Sequence, residues 1–80
     1  MEEEKKFMLH AIQLAHEAHK TGNFPVGAVI TLDGKIVAEG KNSVWVPFYR
    51  LSRHAEMEAI DSIPDDVRQR KQEMTLYTTL

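Results

Sequence analysis

Phe24-Pro25-Val26-Gly27-Ala28-Val29-Ile30-Thr31-Leu32, followed by Asp33-Gly34 and then Lys35-Ile36-Val37-Ala38-Glu39-Gly40, is the stretch that decides the fold. The first run is rich in β-branched residues, as a strand requires. Asp-Gly between two such runs is a strong hairpin signal, so the pair is expected to form an antiparallel hairpin. A lone hairpin is at best marginally stable, and a third strand or a helix has to cover its apolar face. Gly27 lies inside a strand pattern, where a glycine marks a close approach to the backbone. A bulge, a packed helix or a bound ligand would each account for it.

Upstream, Glu3 to Lys20 contains neither proline nor glycine, and Phe7, Met8, Ala11, Ile12, Leu14, Ala15 and Ala18 form an apolar face at helical spacing. Glu2, Glu3 and Glu4 suit the positive end of that helix and Lys20 the negative end, with Gly22 placed to stop it. His10, Gln13, Glu17 and Lys20 line the opposite face, so His10 is expected in solvent. His16 and His19 stand at i, i+3, a spacing that can hold a metal, but no third ligand accompanies them. They read as half-buried residues on an amphipathic helix.

Downstream, Lys41 to Arg53 has no clear period and carries Trp45, Pro47, Phe48, Tyr49 and Arg50. So much aromatic surface in a connection packs against something or covers a pocket. Arg53-His54-Ala55-Glu56-Met57-Glu58-Ala59-Ile60 then opens a second helix, which runs from about His54 to Ile63 and which Ser52 could cap and Pro64 stop. On a helix, Glu56, Ala59, Ile60 and Ile63 fall at i, i+3, i+4 and i+7, so a carboxylate shares the face expected to be buried. Burying a charge is costly unless something uses it. A carboxylate there, two positions after a histidine, is what a metal or proton-transfer site needs. Asp65 to Gln72 is a charged, partly helical connection, and Met74 to Leu80 has the composition of a third, core strand.

Eighty residues suffice for one domain. With 42% hydrophobic and 28% charged residues the chain has globular composition, and no apolar run approaches the ~20 residues of a membrane span. The acidic start lacks the features of a secretory signal, which suggests a cytoplasmic protein. There is no cysteine, hence neither a disulfide nor a thiolate metal site within these residues. The formal charge of −2 gives no general attraction to a phosphate backbone. Because the sequence reaches Leu80 within a strand pattern, the 80 residues are expected to be the N-terminal part of a single, longer domain.

Together these residues resemble the zinc-dependent cytidine and deoxycytidylate deaminase superfamily, whose members include guanine, cytosine and tRNA adenosine deaminases. The family signature is His-x-Glu followed by Pro-Cys-x-x-Cys. His54-Ala55-Glu56 matches its first half, Phe24-Pro25-Val26-Gly27-Ala28-Val29 looks like the first strand, Asn42 matches the asparagine ending the second, and Leu76-Tyr77-Thr78-Thr79-Leu80 looks like the strand before the cysteines. The Pro-Cys-x-x-Cys segment is missing, and Tyr49-Arg50-Leu51-Ser52-Arg53 replaces the Asp-Pro-Thr of many relatives.

The resemblance implies a three-layer α/β/α sandwich of cytidine deaminase-like type, here truncated after the third strand. It implies a hydrolytic deaminase of a nucleobase, nucleoside or nucleotide in which Glu56 shuttles protons and His54 binds zinc, two cysteine ligands being expected beyond Leu80. In the complete family site, a metal-bound hydroxide attacks the ring carbon bearing the amino group. Asn42 would hydrogen-bond the substrate, and the backbone of Val26, Gly27 and Ala28 would lie against the flat base, so that a side chain at Gly27 would obstruct the pocket. Family members are commonly homo-oligomers. A tRNA substrate would need a basic surface, and only Arg50, Arg53 and Lys41 are near the site in sequence, which favours a small nucleobase or nucleoside. The competing expectation is a shortened, metal-free domain that acts in protein association through its aromatic loop and unfinished sheet.

Overall fold

The computed structural model describes residues 2–44 and 54–79. Trp45, Phe48, Tyr49, Arg50, Ser52, Arg53 and Leu80 lie outside the described residues, and so do the expectations placed on them. The elements run in the order α1 (Glu2–Lys20), β1 (Gly27–Leu32), β2 (Lys35–Lys41), α2 (Ala55–Asp61), a 3-10 segment (Asp65–Glu73) and β3 (Thr75–Thr78). The sheet has the order β2-β1-β3, and both pairs are antiparallel.

The hairpin forms as its sequence requires. Asp33 and Gly34 both adopt positive φ, 54° and 74°, and so close a two-residue turn whose twist matches the flanking strands. A register shift between Ile30 and Thr31 sets Ile30 opposite Ala38 and Thr31 opposite Ile36. Val37 is thereby the extra, bulged residue of β2.

β1 is buried along its whole length because it is the central strand and is covered on both faces. Alternation then sends its side chains to two separate cores. Val29 packs with Phe7, Ala11 and Leu14 of α1, joined by Ile36 and Tyr77. Ala28 and Ile30 pack with Ala38 and with Ala55 and Ala59 of α2, joined by Val26, Val37, Ile63 and Met74. The result is three layers, with α1 on one face of the sheet and α2 on the other, as expected.

Several local expectations are corrected. The first strand begins at Gly27, and Phe24 lies outside it, 55% exposed. His10 is half-buried and its Nε2 lies 2.7 Å from the Glu39 carboxylate, because α1 sits partly over β2. Lys41 reaches Glu17 at 3.2 Å on the same side. β3 has no fully buried residue, and Leu76 is 45% exposed, so it is a sheet edge among the described residues rather than a core strand. The 3-10 segment also has no buried residue. It is tied to the hairpin turn by Arg70, which donates to Asp33 at 2.8 and 3.0 Å and to Glu73 at 3.0 and 2.8 Å.

Candidate active site

The buried face of α2 is narrower than its apolar pattern suggests. It consists of Ala55 and Ala59, while Glu56 is half-buried and Ile60 is 44% exposed. The cause lies in β2. A Cβ on Gly40 would collide with the Ala55 carbonyl oxygen and the Ala59 amide nitrogen and would lie 2.7 Å from the Glu58 Cβ. Helix and strand approach so closely that only alanine fits against glycine, and the alanine pair fixes the rotation of α2. Glu56 is turned to the border of the interface, half out of the core.

The direction of α2 decides what lies near its start. Ala55 and Ala59 lie over Gly40, whereas the Ser62 hydroxyl, further along the helix, donates to the Glu39 carbonyl at 3.1 Å. The helix therefore runs against β2, and its N-terminal end lies beyond Gly40, towards Asn42. His54 is the N-cap residue, in extended conformation at φ −71° and ψ 155°, and its carbonyl accepts from the Glu58 N–H at 2.9 Å. Its imidazole is exposed and makes no capping hydrogen bond among the described residues.

The ends of three strands meet at the same place. Asn42, only 2% exposed, donates its N–H to the Val26 carbonyl at 3.0 Å, while its Oδ1 accepts from the Val44 N–H at 3.2 Å. Since the side-chain oxygen is taken by a backbone donor, the amide NH2 is the group Asn42 can offer elsewhere. The Gly27 N–H donates to Thr79 Oγ1 and the Thr79 N–H to the Gly27 carbonyl, both at 3.1 Å. Sequence reasoning missed Thr79 and Gly40. The signal for Gly40 was a glycine inside a strand pattern, the same one that drew attention to Gly27.

Gly27 has a structural task of its own. A Cβ there would collide with the Ala11 carbonyl oxygen and come within 2.7 Å of the Ala15 nitrogen and 2.8 Å of the Leu14 Cβ. A side chain would strike α1, on the face of the sheet opposite α2, so helix packing by itself requires glycine. Ala28 has no exposed surface and belongs to the core with Ala55 and Ala59. Among the residues expected near a substrate, Val26 and Asn42 are joined by a backbone hydrogen bond, and Val26 packs against the core that holds Ala28 and Ala55, the residue between His54 and Glu56. Among the described residues, no group of three His, Cys, Asp or Glu side chains could hold a metal ion, and the chain has no cysteine. A tetrahedral zinc site needs three or four such ligands, so these residues do not by themselves fit one.

A family model described as the cytidine and deoxycytidylate deaminase zinc-binding region matches residues 1–80. The chain belongs to this family. It is 39% identical over 64 residues to tRNA-specific adenosine deaminase 2 of Xenopus tropicalis, a match covering 80% of this chain and 37% of that protein. Among solved structures it resembles guanine deaminase from Bacillus subtilis, with a TM-score of 0.72, 33% identity and coverage of 94% of this chain and 48% of that one. It also resembles a structure from work on A-to-I editing by tRNA:A34 deaminases at the wobble position of transfer RNA, with a TM-score of 0.77, 28% identity and coverage of 96% and 59%. The chain thus spans 37% of the curated relative and about half to three-fifths of these neighbours. Family membership implies zinc in the full-length relatives, of whose ligands these 80 residues hold no complete set. Among the described residues, no helix is long and apolar enough to cross a membrane.

Proposed function

We propose that residues 1–80 are the front portion of a hydrolytic deaminase acting on the amino group of a nucleobase, with its chemistry at the start of α2. The supporting observation is that Val26, hydrogen-bonded to Asn42, packs against the core that seats Ala55 between His54 and Glu56, in a chain of this family. In this reading water adds to the ring carbon bearing the amino group. The Glu56 carboxylate takes one water proton and passes it to the ring nitrogen, then carries the proton of the new hydroxyl to the amino nitrogen, so that the C–N bond breaks to release ammonia and leave a carbonyl. A half-buried carboxylate suits this work, being close to substrate while still reachable by water.

His54 would contribute one imidazole to a metal whose remaining ligands come from outside these residues. The Asn42 amide NH2 donates to an acceptor on the substrate. Val26 flanks the base, while Gly27 and Ala28 form the packed floor below. The first substrate we assign is adenosine held in tRNA, which the Xenopus relative's name supports. Guanine is the second reading, favoured by the solved guanine deaminase and by the net negative charge of the chain. A homo-oligomer is proposed on the family resemblance, while a metal-free association domain is not favoured by family membership.

The test is ammonia release by the full product of the native gene, offered a tRNA with adenosine at the wobble position, free guanine, cytosine and adenosine. Release from one of these alone identifies the substrate. Release from none, by a folded and zinc-loaded protein, overturns the deaminase reading.

A further inference from the structure

The start of β1 departs from regular sheet bonding on both of its sides. Gly27 stands opposite Thr79, one step beyond the pairing of Ala28 with Thr78, and the Thr79 N–H donates to the Gly27 carbonyl at 3.1 Å, as in a hydrogen-bonded antiparallel pair. The return bond of such a pair would run from the Gly27 N–H to the Thr79 carbonyl. Here it runs to the Thr79 hydroxyl, also at 3.1 Å. On the β2 side, Asn42 donates its N–H to the Val26 carbonyl at 3.0 Å, while the Val26 N–H turns back to the Phe24 carbonyl at 2.8 Å and closes a three-residue turn at Pro25.

Two of these bonds converge on one peptide unit, the link between Val26 and Gly27. Its carbonyl is held by Asn42 and its N–H by Thr79, from opposite sides of β1. A peptide unit is planar and moves as one body, so anchors on both its polar groups stop it from turning about the chain. With one anchor gone, the other becomes a pivot. Gly27 cannot supply the missing restraint, because a glycine has little preference in φ and ψ of its own and a Cβ at this position would strike α1. The same peptide unit carries Val26, whose side chain packs on the core of Ala28 and Ala55.

We propose that Thr79 is a positioning residue of the deaminase site: its hydroxyl holds the Gly27 N–H and so fixes the Val26–Gly27 peptide, and Val26 with it, against the substrate base. The proposal rests on the deaminase reading above. Thr79 acts through this peptide and moves no proton, so losing its hydroxyl weakens the seating of the base and leaves proton transfer at Glu56 intact.

The test compares the full gene product with three variants. Thr79→Val keeps the shape of the side chain and removes the hydroxyl, whereas Thr79→Ser keeps the hydroxyl. Thr79→Ala carries the same expectation as valine and takes its place if the valine variant does not fold. Ammonia release is followed from a tRNA with adenosine at the wobble position and from free guanine, and hydrogen exchange is followed at the Gly27 amide. In Thr79→Val, KM should rise about 3–10-fold, since the substrate must then order the peptide that one hydrogen bond held, while kcat stays within about twofold. The Gly27 amide should exchange faster, and Thr79→Ser should restore all three readings. A role in stability alone would lower the amount of folded protein and leave KM where it was. An unchanged KM, a loss confined to kcat, or a serine variant as impaired as the valine one would each overturn the proposal. No ammonia from the unaltered protein overturns the deaminase reading and this proposal together, whereas any of those three results in a working enzyme overturns this proposal alone.

Discussion

Replacing Gly40 with alanine should loosen α2 from the sheet and carry His54 and Glu56 with it. The added Cβ would overlap two backbone atoms of the helix, the Ala55 oxygen and the Ala59 nitrogen, and lie 2.7 Å from the Glu58 Cβ. Backbone atoms of a helix cannot rotate away as a side-chain tip can. Relief therefore requires the whole of α2 to lift, exposing Ala55, Ala59 and Ala28, all fully buried. Overpacking of this kind costs about 1–3 kcal/mol, against a gain of about 0.4–1 kcal/mol from the stiffer unfolded chain, for a net loss centred on roughly 1.3 kcal/mol and reaching about 2.6 kcal/mol. With a urea slope of about 1 kcal/mol/M, the unfolding midpoint falls by about 1.3 M.

Gly34→Ala is the control. Its φ of +74° makes alanine strained by about 1–2 kcal/mol, but the nearest atom is the flexible end of Glu3, at 3.2 Å, and α2 is not involved. Both variants lose stability, while only Gly40→Ala should speed hydrogen exchange at the Glu58 and Ser62 amides, which close the first and last turns of α2. If Gly40→Ala leaves both the midpoint and α2 exchange unchanged, the close helix-strand contact described above is wrong.

Asn42→Ala should cost about 1–3 kcal/mol, because it leaves the buried Val44 N–H without its acceptor; Asn42→Asp, which keeps that acceptor, should be milder in thermal unfolding. Arg70 holds the Asp33 and Glu73 carboxyls below their ordinary values of 3.8 and 4.5 through its hydrogen bonds. Depressed carboxyl pKa values stabilise the fold at pH above the unfolded values, and this contribution is lost as pH falls through the folded ones. The urea midpoints of the protein and of Arg70→Ala should therefore differ most near neutral pH and converge as pH falls below 4.5 and then 3.8. The gap should be small, since these groups face solvent, and a gap that widens in acid would count against the pairing. In the native coding region, the codons after Leu80 should encode Pro-Cys-x-x-Cys within about twenty positions; a stop codon directly after Leu80 would remove the deaminase reading for this chain.

The hairpin was readable because its cause is local: two β-branched runs and an Asp-Gly turn determine it whatever surrounds them. The first helix was readable for the same reason, through its unbroken period and its charged ends. What the sequence hides is set by contacts between distant residues. His10 looks like a solvent residue on its helix, and only the placement of α1 over β2 gives it Glu39, twenty-nine positions away. The apolar period of the second helix marks Ile60 as core, yet the tight fit of Ala55 and Ala59 on Gly40 turns Ile60 outward.

The site shows the same division. His54 and Glu56 stand out as a histidine and a carboxylate near a helix start, and Asn42 by family resemblance. Their placement depends on α2 running against β2, which no spacing in the sequence reveals. Gly27 was read as a place of close approach, correctly in kind, but the structure brings α1 against it.

The most direct measurement compares the full gene product with its Glu56→Gln variant, following ammonia release from the preferred substrate while zinc content and circular dichroism are recorded on the same samples. Glutamine keeps the shape of the side chain but cannot take the proton from water. The predicted result is a rate lower by about 10²–10⁴-fold with fold and zinc unchanged. An unchanged rate in the folded, zinc-bearing variant would contradict the assignment of proton transfer to Glu56.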